Sequence, residues 1–333
     1  MEVLPQITLH RPATLIEAIE LSRGPKATSY ISGGTDLIAN LRRGLTPNNH
    51  LIDLSGVNEL KGITSSNGGI SIGGATTLAE ITTNNDISRN FPALSMAAQA
   101  VAGPTHREVA TIGGNLCLDT RCYFYNQSQW WRDSNDGCMK YQGEICHVVP
   151  TSKRCYAAYS GDIAPALLVL GAEVNISGPK GTRRLPLAEL FNDDGIDYLT
   201  LNDGEMVSSV HLPATMSTPP SSGAASSYAK LRIRASIDFP LAGVALRIAL
   251  TNGKLTAINA AITGTKSIPV AITGLEVFTE KPFDRTVAGD FSKLIQKQIS
   301  PLHTTTTQPQ YRRRAIASMA RTMALDLIGA LNN

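Results

Sequence analysis

All the sulfur chemistry available to thiols in this 333-residue chain lies in one short stretch. Its five cysteines are Cys117, Cys122, Cys138, Cys146 and Cys155, spaced C-x4-C-x15-C-x7-C-x8-C. Thiolates are nucleophiles and soft metal ligands, and in a reducing cytosol clustered cysteines more often serve those roles than form disulfides. Zinc sites usually show two tight C-x2-4-C pairs, and only Cys117 and Cys122 come near that. A [4Fe–4S] cluster takes four thiolates at looser spacing. Cys117 follows a glycine loop in an apolar stretch and is the best candidate for a buried thiol outside any ligand set. The other four fall within 34 residues. Eight of the 18 aromatic residues lie between Tyr123 and Tyr159, where they could shield a cluster from water. An iron–sulfur cluster, a zinc site and a merely packed loop all remain open on spacing. His147, beside Cys146, reads as a bystander rather than a ligand.

A second pattern is a pair of glycine loops, Ser32-Gly33-Gly34 and Ile112-Gly113-Gly114, each following a short apolar stretch. Glycine lets a ligand approach the backbone closely. Free N–H groups ahead of a helix suit a pyrophosphate. Neither loop is GxGxxG or GxxxxGK[ST], so both the dinucleotide fingerprint and the P-loop are excluded, and each Gly-Gly alone reads more readily as a tight turn.

The elements needed to position these groups follow from the hydrophobic pattern. Residues 13–22 carry helical spacing, 28–31 a strand, 37–43 a helix stopped by Gly44, and 50–54 another strand, a small parallel β-α-β unit. Residues 60–75 read as paired strands about an Asn67-Gly68-Gly69 turn. Residues 78–82 and 93–101 read as helices, 163–176 as a helix followed by a strand, and 185–191 and 206–212 as short elements. The segment 214–227, with Pro219-Pro220 and SSGAASS, reads as a linker. Antiparallel strands turning at Asn252-Gly253 fill 228–263, and 311–331 is strongly helical. The fold class expected is α+β. A two-part domain over 1–215 combines the parallel unit with a mixed or antiparallel sheet and helices. A smaller domain of antiparallel strands and helices follows over 216–333.

Composition excludes several classes. Charged residues are 17% and hydrophobic residues 42%, which is neither a disordered chain nor a rod. A net charge of +3 does not suggest a nucleic-acid binder. No secretory signal is visible, and the longest apolar run, near Ala164–Ala172, is too short to span a bilayer. The reading is a soluble, cytoplasmic protein.

The motifs in order, Ile31-Ser32-Gly33-Gly34-Thr35-Asp36-Leu37, Thr111-Ile112-Gly113-Gly114-Asn115, Ser160-Gly161-Asp162 and YAKLRIRASID with Tyr228, Lys230, Arg234 and Asp238, resemble the flavin-binding subunit of xanthine-oxidase-type molybdenum hydroxylases. ITGTKSIPV and YRRRAIASMA extend the resemblance to the end of the chain. Residues 116–159 resemble the insertion in one branch of the family, the beta subunit of 4-hydroxybenzoyl-CoA reductase, which carries an extra [4Fe–4S] cluster.

The resemblance implies FAD, with Tyr30, Ile31, Ser32, Gly33, Gly34, Thr35, Asp36 and Leu37 wrapping its pyrophosphate through backbone N–H groups. Thr111, Ile112, Gly113, Gly114 and Asn115 are implied to do the same from the other side. Asp162 falls where a carboxylate bonds the sugar or ribityl hydroxyls, Val101 and Val207 where side chains pack near the flavin rings, and Lys230 where a lysine lies beside the isoalloxazine. Cys122, Cys138, Cys146 and Cys155 match the cluster ligands. No acid–base catalyst is implied in this chain. The reductase branch further implies a large molybdenum subunit and a small subunit with two [2Fe–2S] clusters, in a dimer of heterotrimers. Electrons would pass from a ferredoxin-type donor through [4Fe–4S] and FAD to molybdenum, for reductive dehydroxylation in anaerobic aromatic degradation. The alternative is the FAD subunit of an aldehyde, carbon monoxide or purine hydroxylase, with electrons flowing the other way.

Overall fold

The computed structural model describes residues 4–24, 28–66, 69–220 and 222–332. Three sheets organise them. The first is parallel, in the order Thr8–His10, His50–Asp53, Thr28–Ile31. It contains the expected β-α-β unit, with the helix Leu37–Arg42 crossing between two strands, and gains an N-terminal edge strand that three residues were too few to reveal.

The second sheet is antiparallel, in the order Ile63–Ser66, Gly69–Gly73, Met206–Leu212, Glu173–Gly178, Gly181–Pro186. The expected hairpin over 60–75 pairs antiparallel, and Asn67 and Gly68 of its turn lie outside the described residues. The helices Pro92–Ala100 and Ile163–Val169 supply Ala93, Leu94, Ala97, Ile163, Ala166 and Leu167 to the same apolar cluster as Ile72, Val174 and Val210 of this sheet. Small residues at these helical positions let backbones approach closely, and their near-complete burial makes this the main core.

The third sheet is a meander in the order Val270–Ala271, Lys254–Thr263, Ala242–Thr251, Ala224–Leu231. Its central hairpin turns at Asn252 and Gly253, with φ of +52° and +73°. Left-handed conformation at both turn residues matches strand twist, which is why Asn-Gly was legible there. The last strand takes in Ala224–Ser227, so part of the expected linker is strand. Serine and alanine supply no charge to oppose pairing, and Ser226 faces a buried site where its hydroxyl meets Thr218. The helices Arg285–Gln298 and Pro309–Asn332 pack their apolar stripes on this sheet. The observed architecture is the α+β arrangement expected: a two-part first lobe and a sheet-and-helix second lobe.

The cysteine stretch is mostly irregular, with one short helix, Gln129–Asp133, capped by Ser128. It is pinched closed by reciprocal backbone bonds between Arg121 and Ala158, at 2.8 and 2.7 Å. Inside, Leu45, Cys122, Tyr125, Cys138, Cys155 and Ala157 form a separate apolar cluster.

Candidate functional site

A cleft of about 830 Å³ opens between the parallel unit, the second sheet and a loop of the second lobe. That is ample for a large organic ligand. The turn after the strand Thr28–Ile31 forms one wall and the loop before the helix Ile112–Leu116 another. Tyr30, Ile31, Ser32, Gly33, Gly34, Thr35, Asp36, Leu37, Val101, Thr111, Gly113, Gly114, Asn115, Asp162 and Val207 all line it. Residues up to 177 positions apart are thus brought to one surface.

The glycines are there for close approach. A Cβ on Gly33 would collide with the Val109 carbonyl, so the first glycine loop touches the backbone just ahead of the second. A Cβ on Gly113 would lie 2.8 Å from the Gly74 carbonyl oxygen. Gly34 sits at φ +66°, the left-handed region glycine enters without penalty.

Two expectations about the second loop are corrected. The Ile112 side chain is fully buried in the main core, not in the cleft. The N–H groups of 112–115 are also committed: Ile112 donates to Thr76 O (3.0 Å), Gly113 to Gly74 O (2.9 Å), Gly114 to Thr111 Oγ1 (3.2 Å) and Asn115 to Thr111 O (2.9 Å). This loop offers a close, glycine-smooth wall rather than a row of free donors. Asn115 Oδ1 accepts from Ile163 N at 3.2 Å and so caps the next helix.

Lys230 does not line the cleft either. Its ammonium lies 2.9 Å from Asp162 Oδ2 and donates to the Ala100 carbonyl at 3.0 Å. The Tyr228 hydroxyl donates to Asp162 Oδ1 at 2.6 Å. Asp162 stands at the start of the helix Ile163–Val169 yet makes no side-chain cap bond. Burial pushes its carboxyl up from the ordinary value, and Lys230 and Tyr228 oppose that shift. The lysine therefore reaches the cleft only through Asp162. Tyr228 itself is driven well above the ordinary phenol value by burial and by this carboxylate.

Ser160 and His106 also line the cleft, and their Oγ and Nδ1 atoms are buried without a partner. Buried polar atoms are nearly always paired, so two orphans on one cavity wall fit a ligand rich in hydrogen-bonding groups, as FAD is. Ser160 was part of the Ser-Gly-Asp motif, but nothing marked its hydroxyl as unpaired. His106 sits in a four-residue helix, Pro104–Arg107, with no pattern around it. Arg234, Ile237, Asp238 and Phe239 close the cleft from the second lobe.

Cys122, Cys138, Cys146 and Cys155 line one small separate pocket with Lys140 and His147. All five cysteines are free. Cys117 stands apart and lines the large cleft. Burial pushes the Cys122 thiol up to about 12 and the Cys155 thiol up to about 11. Among the described residues no group of three or more His, Cys, Asp or Glu is arranged to hold a metal ion. His147 Nε2 lies 2.6 Å from the Gly137 carbonyl oxygen.

A two-lobed chain with two glycine loops on one large cleft, and a meander-and-helix lobe closing it, has the form of a protein that holds a large organic cofactor. Residues 5–215 match the family described as the FAD binding domain in molybdopterin dehydrogenase, and residues 226–327 match the CO dehydrogenase flavoprotein C-terminal domain. The chain belongs to this family of FAD-binding subunits of molybdenum hydroxylases.

Among relatives, it is 32% identical over 247 residues to the aldehyde oxidoreductase FAD-binding subunit PaoB of Escherichia coli K12, covering 72% of this chain and 76% of that one. It is 25% identical over 323 residues to the putative xanthine dehydrogenase FAD-binding subunit XdhB of the same organism, covering 96% of each. The reconstituted CO dehydrogenase from Oligotropha carboxidovorans contains a chain of the same fold, at 19% identity and TM-score 0.80 over 98% of this chain and 99% of that one.

These comparisons overturn the expectation of a 4-hydroxybenzoyl-CoA reductase subunit. Six of the relatives are, by name, subunits of aldehyde oxidoreductase or of xanthine, glyceraldehyde and carbon monoxide dehydrogenases. The reductive direction, the ferredoxin-type donor, the iron–sulfur relay into FAD and the placement in anaerobic aromatic degradation fall with it. The 116–159 stretch had carried that reading, and the residues of one loop do not set the direction of electron flow. No helix among the described residues is long and apolar enough to cross a membrane.

Proposed function

We propose that this chain is the FAD subunit of a molybdenum hydroxylase working in the oxidative direction. It would assemble with a large molybdenum subunit and a small subunit carrying two [2Fe–2S] clusters. The 32%-identical aldehyde oxidoreductase subunit makes an aldehyde the first substrate class to test. The observation that carries the reading is the cleft itself: fifteen of the seventeen residues expected around FAD line one cavity, with two unpaired buried polar atoms on its wall.

When bound, FAD supplies two-electron chemistry that can be linked to one-electron carriers. This chain's residues bind and orient it. Tyr30–Leu37 approach the pyrophosphate through the turn that opens at Gly33-Gly34, and Thr111–Asn115 form the facing wall. Ser160 and His106 take up hydrogen-bonding groups of the cofactor. Asp162, held by Lys230 and Tyr228, presents a fixed carboxyl. Val101 and Val207 exclude water from the ring region. The test is the purified complex: one FAD per chain, and an acceptor dye reduced on adding an aldehyde. A complex without flavin would contradict the reading.

The four-cysteine pocket belongs to the same proposal as a [4Fe–4S] site, independent of the direction of electron flow. Four free, buried thiols from one 34-residue span around one pocket are the donor set such a cluster needs. Each would bind a different iron, so they need not converge on one point as ligands of a single ion must. Iron and acid-labile sulfide analysis tests it. Cys138→Ser should lower the iron content and leave FAD in place, and a wild-type chain free of iron after anaerobic preparation would remove the assignment.

A further inference from the structure

The cysteine-bearing stretch does more than fold on itself: it grips the helix behind the first glycine loop at three successive places. At the helix start, the Arg121 guanidinium pairs with Asp36 and donates to Asn40 Oδ1 at 3.0 Å. At its end, Arg132 donates to the Arg43 carbonyl at 2.8 Å. Just beyond, the Tyr125 hydroxyl donates to the Leu45 carbonyl at 3.0 Å. Arg121 also lies over the Phe239 ring, 4.5 Å from its centroid, and so reaches the loop of the second lobe that closes the cleft.

Four of the gripped residues, Asp36, Asn40, Leu45 and Phe239, line the cleft. Tyr125 lines both the cleft and the cysteine pocket. The gripped helix, Leu37–Arg42, has only six residues, and Asp36 gives it no side-chain cap bond. A helix that short cannot hold its own position in water. Its placement, and that of the glycine turn in front of it, depends on what holds it from outside. Arg121 is adjacent to Cys122, and its backbone closes the neck of the cysteine loop against Ala158.

We propose that Arg121 is a positioning residue that couples the cysteine-bearing stretch to the FAD cleft. The stretch holds the first glycine loop in its binding position. Loosening it weakens FAD, and bound FAD in turn steadies it, because coupling between two sites is reciprocal. The inference rests on the cleft being the FAD site and does not depend on what the cysteines hold.

The test uses the full chain with FAD itself as probe. Affinity is read from flavin fluorescence in wild type, Arg121→Lys and Arg121→Ala, with folding followed by circular dichroism. Coupling predicts a loss of FAD affinity of about tenfold or more in Arg121→Ala, within the range of typical coupling factors. Partial rescue is expected in Arg121→Lys, which restores the charge beside Asp36 but not the fork that also reaches Asn40. FAD should also slow hydrogen exchange at amides of residues 122–143 in wild type, and less so in Arg121→Ala. Should Arg121→Ala not fold, Tyr125→Phe removes one grip without opening a cavity and should weaken FAD by a few-fold. A wild-type chain that fails to bind FAD would remove the site reading itself. Wild type that binds FAD, with variants of unchanged affinity and no exchange effect across 122–143, would overturn the coupling.

Discussion

Glu205 shows at the residue scale how the rim of the cleft is tied. The Arg183 guanidinium donates to it through Nε (3.1 Å) and Nη2 (2.8 Å), and Asn202 adds two further donors. These bonds hold its carboxyl down at about 2, against an ordinary 4.5. A depressed carboxyl binds fewer protons folded than unfolded. Its contribution is therefore present above pH 4.5 and lost as pH falls toward 2. Acid unfolding of Glu205→Gln should begin from a lower stability at neutral pH and show a shallower fall across that window than wild type. Equal curves would show the pair to be energetically silent, as many partly exposed pairs are.

Among the elements, the glycine loops differ from each other in what they tolerate. Gly33→Ala drives a Cβ into the Val109 carbonyl, where no side chain can swing aside. Overpacking of this kind costs about 1–3 kcal/mol and should abolish tight FAD binding. Gly114→Ala meets only Thr111 Oγ1, at 3.1 Å, and should retain most of the binding. Flavin content of the two purified variants checks the contrast. In the second lobe Phe291 is fully buried and meets Phe278 and Phe283 edge to face. Phe291→Ala should lower stability by about 3–5 kcal/mol, read from denaturant unfolding.

The same elements show what sequence could reveal. The parallel unit, the Asn252-Gly253 hairpin and the last helix were legible because period and turn chemistry agree locally. The helix Arg285–Gln298 was not recognised, although Asp284 caps it and Ala288, Phe291 and Ile295 form its buried stripe. Its apolar positions are few and separated by charge and glycine. The position of the cleft residues followed from ordered motifs. The commitment of the 112–115 amides, the turning of Lys230 toward Asp162 and the orphaned Ser160 hydroxyl are tertiary facts, set by residues such as Gly74 and Tyr228 that lie far away in sequence.

For the whole molecule, Arg312 of the last helix ties together the part of the second lobe that meets the first. Fully buried, it donates to the carbonyls of Leu241 and Leu302 at 3.0 Å each and to that of Gly264. The Tyr159 N–H and carbonyl meanwhile bond the Lys266 carbonyl and Gly264 N–H across the lobes. Arg312→Met should leave several carbonyls unpaired and cost about 3 kcal/mol or more, measured as a lower denaturant midpoint. Because Phe239 and Arg234 close the cleft from the second lobe, the same variant should also release FAD more readily.

The family makes this chain an FAD-binding subunit, and the function proposed for it is that of a flavin relay in an oxidative enzyme. Anaerobic visible spectroscopy of the assembled complex tests that directly. On addition of an aldehyde the flavin absorbance should bleach, with one FAD per chain. A flavin that stays oxidised with every oxidisable substrate offered, yet is reduced by a low-potential donor and reoxidised by an aromatic acyl-CoA, would contradict the account.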